Sequence, residues 1–179
     1  KKVHNTVIGE YDKMINRYTA LYNSIKDSSL SNEDKQGILD VLNDLKQARN
    51  EYESVRQNIN VLKDNYGYDQ TMLNGIERFA NSALKEGIRN NDYALQEQYT
   101  ELNKLVEGGK KYKTKFKQMS NQAKINRVRK KIESLQAKKG SLNSVQQRMV
   151  NKATEKYIAA REKELNKYED LKSQIIEKM

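Results

Sequence analysis

Not one proline occurs in the 179 residues of this chain, where an average composition of about 5% would supply roughly nine. Proline fixes φ and removes a backbone donor, so it kinks or ends helices; a chain without it can build long, unbroken ones. The apolar residues follow that lead. From Val7 they recur at Ile8, Tyr11, Met14, Ile15, Tyr18, Leu21, Tyr22 and Ile25, in steps of three and four that gather them on one helical face. Asp27-Ser28-Ser29 ends the pattern, and Ser31 followed by Asp34 is the capping-box signature of a second helix. That helix carries Ile38, Leu42, Leu45, Tyr52, Val55, Ile59 and Leu62 and is expected to reach about Asn65.

Asn65-Tyr66-Gly67-Tyr68-Asp69 combines turn formers with an N-cap at Asp69, which predicts a tight connection. A shorter helix follows with Met72, Leu73, Ile76, Phe79, Ala80, Ala83 and Leu84 inward. Gly87 is placed to be its left-handed terminator, with Ile88 folding back over the last turn. Asn90-Asn91-Asp92 then opens a helix striped by Leu95, Tyr99, Leu102, Leu105 and Val106, until Gly108-Gly109 interrupts it. Two adjacent glycines cost about 1 kcal/mol each against alanine in a helix, so they mark a hinge, a kink or a close approach.

Beyond the glycines two apolar stripes compete. Tyr112, Phe116, Met119 and Ala123 form one; Ile125, Val128, Ile132 and Leu135 form another, rotated from the first by roughly 150° at 100° per residue. Either the helix breaks near Ser120-Asn121 or it changes partner there. Lys139-Gly140-Ser141 reads as a C-cap and reversal, after which a last helix from about Leu142 to Met179 keeps a heptad-like register through Leu165, Tyr168, Leu171 and Ile175. It would be roughly 55 Å long.

The fold class expected is therefore all-α: an elongated antiparallel bundle over residues 1–107, and over 108–179 a basic helix plus a long C-terminal helix. Those two should form a coiled-coil-like helical hairpin, which can run on from the bundle. Only 36% of residues are apolar and 32% are charged, and the mean hydropathy is −1.02. Slender helices with narrow seams suit that composition better than a thick core. Seams only partly covered in this way point to an oligomer or a larger assembly. The chain has no apolar run long enough to span a membrane; it starts at Lys1 and carries its apolar register to Met179, the look of a processed or excerpted piece.

Little here suggests catalysis. Cysteine is absent and His4 is the single histidine, so neither a thiol nucleophile nor a histidine-based acid/base pair or metal site can be assembled. Glu162, Glu164, Glu169 and Asp170 alternate with Lys163, Lys167 and Lys172, the pattern of an ion-paired helix surface. No enzyme activity, cofactor or metal is expected.

The charge is another matter. Residues 110–139 hold twelve Lys and Arg against Glu133 alone, a formal +11, while the rest of the chain sums to −1. Charge concentrated in this way recruits counter-charge. The candidate anion- or partner-binding residues are Lys110, Lys111, Lys113, Lys115, Lys117, Lys124, Arg127, Arg129, Lys130 and Lys131, with Tyr112, Phe116, Tyr66 and Tyr68 as contact aromatics. On a straight helix Lys113, Lys117, Lys124, Arg127, Lys131 and Lys138 fall within about 80° and make a cationic ridge.

The first expectation is a non-enzymatic structural or interaction protein, a helical spacer or adaptor whose basic arm docks on an acidic protein surface. The alternative is a sequence-nonspecific nucleic-acid-binding protein that grips phosphates through the basic helix 110–139. A third reading is an extracellular helical module that binds a host or partner protein. Direct membrane attachment is not expected, because Tyr112, Phe116, Met119 and Ile125 share no common direction.

Overall fold

The computed structural model describes residues 2–65, 85 and 87–179, and among them the only regular structure is helical. Helix α1 spans Lys2–Ile25 and α2 spans Asn32–Asn65. A π-helical turn, Gly87–Asp92, leads directly into α3 at Tyr93–Gly109, and α4 runs unbroken from Lys115 to Lys178. The expected connection at 65–69, with Tyr66 and Tyr68, and the helix over Met72–Leu84 lie outside the described residues.

The end of α1 and the start of α2 fall where their local chemistry dictates. Ser31 Oγ accepts the Asp34 amide at 3.1 Å, the N-cap bond of a capping box, and its hydroxyl donates to the Asp34 carboxylate at 2.8 Å. Lys35 Nζ donates to the Lys26 and Ser28 carbonyls, both at 2.9 Å, and so ties off the C-terminal end of α1. The connection is six residues long, which makes α1 and α2 antiparallel neighbours.

Helices α3 and α4 form the second antiparallel pair, reversed across 110–114. The two hairpins close into a four-helix bundle in cyclic order α1, α2, α4, α3. Long-range polar contacts fix the relative directions. Glu10 meets Arg89 near one end of α1, and Glu107 accepts the Ser29 amide at the other, so α1 and α3 run parallel. Asp34 meets Arg129, and Gly37 lies against Tyr99 and Gln136, so α2 and α4 run parallel as well. Val7, Tyr11, Met14, Tyr18, Leu21 and Ile25 of α1 face a core shared with Ile38, Leu42, Leu45 and Tyr52 of α2 and Leu95, Tyr99 and Leu102 of α3.

The reversal expected at Lys139-Gly140-Ser141 does not occur. Helix α4 continues straight through it, so its C-terminal half is not the second arm of a hairpin. One glycine costs about 1 kcal/mol in a helix interior, too little to stop a chain that has no proline and is held upstream by packing. The turn is instead at 110–114. There α3 ends at Gly109, where an added Cβ would strike the Asn121 side-chain amide, whereas Gly108 faces open space; the second glycine marks a close approach and the pair a helix end.

The continuous α4 also decides between the two apolar stripes. Ile125, Val128 and Ile132 are buried against the bundle and Leu135 is half-buried. The stripe rotated from it must then face water: Phe116 is 83% exposed and Met119 64%. Gly87 and Asn90-Asn91-Asp92 differ from expectation too. They are not a terminator and a fresh start but one π turn, and Asp92 has helical φ and ψ of −67° and −37° with no capping bond from its side chain. The wider turn places Asn91 and Asp92 inside.

Candidate interaction surfaces on the long helix

Three of the twelve cations in the basic segment are used internally. Lys110 pairs with Glu107 at 3.0 Å, Arg129 with Asp34 at 2.9 Å and Lys139 with Asp92 at 2.6 Å. Lys110 and Arg129 therefore stand apart from the other expected partner-binding residues, because each already has an intramolecular counter-ion. Lys111, Lys113, Lys115, Lys117, Lys124, Arg127, Lys130 and Lys131 are exposed, and none lies within ion-pair distance of a carboxylate among the described residues.

Helix α4 starts after Thr114, whose hydroxyl accepts the Lys117 amide at 3.3 Å. Lys113 thus precedes the helix and leaves the ridge. Those that remain, Lys117, Lys124, Arg127, Lys131 and Lys138, fall within about 80° of one another, beside the buried stripe. Four of them repeat at intervals of seven, 117, 124, 131 and 138, so a charge recurs about every 10 Å along some 30 Å of straight helix. Phe116 and Met119 lie further round at the same end, next to half-exposed Tyr112. The two contact aromatics expected in this segment are therefore both accessible.

A cleft of about 470 Å³ opens behind the turn, lined by Val106, Tyr112, Gln118, Asn121, Ile125 and Arg129 among others. Its polar groups serve the turn itself. Gln118 Nε2 donates to the Tyr112 carbonyl at 2.9 Å, and Asn121 Nδ2 donates to the Leu105 carbonyl at 3.1 Å. With Arg129 and the neighbouring Lys110 already paired, the cleft presents no free charge to a ligand.

The buried polar contacts lie elsewhere, where the π turn meets α4. The Asp92 and Lys139 side chains are 4% and 10% exposed, and the Tyr18 hydroxyl donates to the Asp92 carbonyl at 2.6 Å. Burial pushes the Asp92 carboxyl above its ordinary value, against the pull of Lys139. Burial likewise raises the Tyr11 and Tyr18 hydroxyls and holds them neutral. The Tyr99 hydroxyl, which accepts from Gln136, is pushed up to about 12. The Asp92–Lys139 pair, the Tyr18 hydroxyl and the Tyr99 hydroxyl tie separate elements together inside the bundle. Among the described residues no cluster of carboxylates or histidine has the makings of a metal site, and no helix is long and apolar enough to cross a membrane.

In the sequence Asp92 reads as part of a helix start and Lys139 as part of a reversal. One signal pointed further: Lys139 continues the three-four spacing of Ile125, Val128, Ile132 and Leu135, so it occupies a core position that demands a buried counter-ion.

The second surface is distal. Leu165, Tyr168, Leu171, Ile175, Ile176 and Met179 are 43% to 97% exposed, on a stretch of α4 where the alternating charges close no ion pairs among the described residues. The expected ion-paired helix surface is thus a set of unpaired charges beside an uncovered apolar stripe. Comparison with protein-family models, curated proteins and solved structures gives no match.

Proposed function

We propose that this protein is a non-enzymatic helical adaptor whose basic ridge docks on an acidic helical surface of a partner protein. One observation carries the reading: Lys117, Lys124, Lys131 and Lys138 recur every seven residues on the open side of a helix whose neighbouring side is fixed to a bundle. A second helix with carboxylates at the same interval would meet them one for one, as flanking charges do in coiled coils. The coiled-coil character read from the sequence then belongs to contacts with partners. Duplex DNA offers a charge about every 1.7 Å of axis, and a 10 Å repeat has no special match to that ladder. The exposed Phe116 beside Lys115 and Lys117 favours the nucleic-acid alternative, since a solvent-facing ring among cations can stack on unpaired bases.

Fluorescence anisotropy at several salt concentrations separates the two. The ligands are a helical peptide with Glu at seven-residue intervals, the same peptide scrambled, and random 20-mer single and double strands. The spaced peptide should bind best near physiological salt, and the Lys117→Gln, Lys124→Gln, Arg127→Gln, Lys131→Gln variant should lose it. Equal binding of the scrambled peptide would remove the argument from spacing. Submicromolar binding of oligonucleotides with a log–log salt slope of several units would put the nucleic-acid reading in its place.

A further inference from the structure

We infer that the distal part of α4 pairs with the same segment of a second copy of this chain, antiparallel, about a centre near Leu171. The starting point is surface that has no reason to stay wet. Leu165, Tyr168, Leu171, Ile175, Ile176 and Met179 lie within an arc of roughly 140° on one side of the helix, each at least 43% exposed. Single exposed apolar side chains are ordinary, but six on one face expose on the order of several hundred Å², the size of patch that marks an interaction site. It approaches the roughly 800 Å² that each partner contributes to a standard interface.

Charge selects the occupant. Between residues 159 and 179 there are five basic and five acidic side chains, so the segment is neutral, and none of them forms an ion pair among the described residues. A neutral helix with both signs unpaired meets no net repulsion from its own copy and supplies the carboxylates and ammonium groups that the copy needs. The proximal segment is the opposite case: at +11 it would repel a second copy placed alongside. Pairing is thereby confined to the distal half.

Geometry then selects the direction. At 100° per residue the distal stripe is centred within roughly 30° of the stripe through Ile125, Val128, Ile132 and Leu135, so it faces the same side of α4 as the bundle. A parallel, in-register partner would have to run its own proximal α4 through the space that the bundle fills. An antiparallel partner avoids this, because its bundle lies beyond the opposite end. The two basic ridges then begin about 100 Å apart, well outside the roughly 8 Å Debye length at physiological salt. The symmetry is isologous, the commonest form of homodimer.

Since the chain has no cysteine, introduced ones report cleanly. Sedimentation velocity on the full chain from 1 to 100 µM should show a monomer–dimer equilibrium. Leu171→Glu, on an exposed position, should leave far-UV circular dichroism at 1 µM unchanged and weaken dimerisation at least tenfold. In the oxidised state Leu171→Cys should cross-link to itself. Leu165→Cys and Met179→Cys should each fail to do so alone yet cross-link to one another when mixed. Self-cross-linking of both of those variants without the mixed product would overturn the antiparallel arrangement. A monomer at 100 µM, or a dimer indifferent to Leu171→Glu, would overturn the pairing itself. The proposed docking of the ridge on an acidic partner is untouched by either result, because none of these residues belongs to it.

Discussion

One helix, α4, behaves as two different materials along its length. Over 121–139 its apolar stripe is covered by α2, α3 and the π turn and its open side is crowded with positive charge; over 159–179 the stripe is bare and the charges balance. Nothing in backbone geometry separates them, since helical hydrogen bonding runs through both. What differs is whether the chain supplies its own cover. A stripe of the same spacing is a core in one place and a surface in the other, so periodicity alone reports that a face will be buried, not what buries it.

The comparison breaks most sharply at the charged positions. Lys139→Met should cost about 3–5 kcal/mol, because it leaves the Asp92 carboxyl buried without its counter-ion, whereas Lys172→Met, on the exposed half, should stay within about 0.5 kcal/mol. Replacing both members, with Asp92→Leu and Lys139→Met, should recover most of the loss. Urea denaturation of the three variants at low micromolar concentration measures this; equal effects at 139 and 172 would show that the proximal half is not held as described.

Apolar truncation gives the next largest contrast. Ile132→Ala removes a methyl-rich side chain from the core and should cost about 2–4 kcal/mol. Ile175→Ala, 61% exposed, should leave the unfolding midpoint of the monomer nearly unchanged and act only on self-association. Tyr18→Phe comes third: it withdraws the hydroxyl bonded to the Asp92 carbonyl inside the bundle, for about 1–3 kcal/mol. Its thermal midpoint should fall accordingly, while removal of the exposed Tyr168 hydroxyl should not register.

Much of this was legible in advance, for a stated reason. The α1 face and the Ser31–Asp34 cap are set by local chemistry, and they appear where the pattern placed them. Gly140 misled because a turn residue is only a weak veto; packing on one side of it outweighed the cost. The π turn was invisible because Asn90-Asn91-Asp92 has the composition of a cap, and only the buried Lys139 across the interface explains why Asp92 points inward. Of the basic candidates, Lys110 is paired with Glu107 three residues away, a contact that a local window does hold, whereas Arg129 is paired with Asp34 of a distant helix, information that no local window holds.

The smallest effect, and the most discriminating about sign, is pH. Two carboxyls move in opposite directions. Glu107 accepts the Ser29 amide at 2.7 Å and pairs with Lys110, which holds its carboxyl below the ordinary value. A depressed carboxyl contributes stability that is present above its unfolded value of about 4.5 and is lost as pH falls through the folded one. Asp92 is raised by burial, so its contribution runs the other way: it is full below the unfolded value of 3.8 and shrinks as pH rises toward the shifted one. Glu107→Gln should therefore flatten the acid limb of the stability profile while leaving stability at pH 7 little changed, as befits a solvent-screened contact. Asp92→Asn should remove the decline on the upper side and leave the acid limb in place. Denaturation midpoints between pH 3 and pH 7 for the two single variants test both limbs at once. If Asp92→Asn instead flattens the acid limb, the attraction of Lys139 outweighs burial at that site, and the interior where the π turn meets α4 is more polar than its exposure implies.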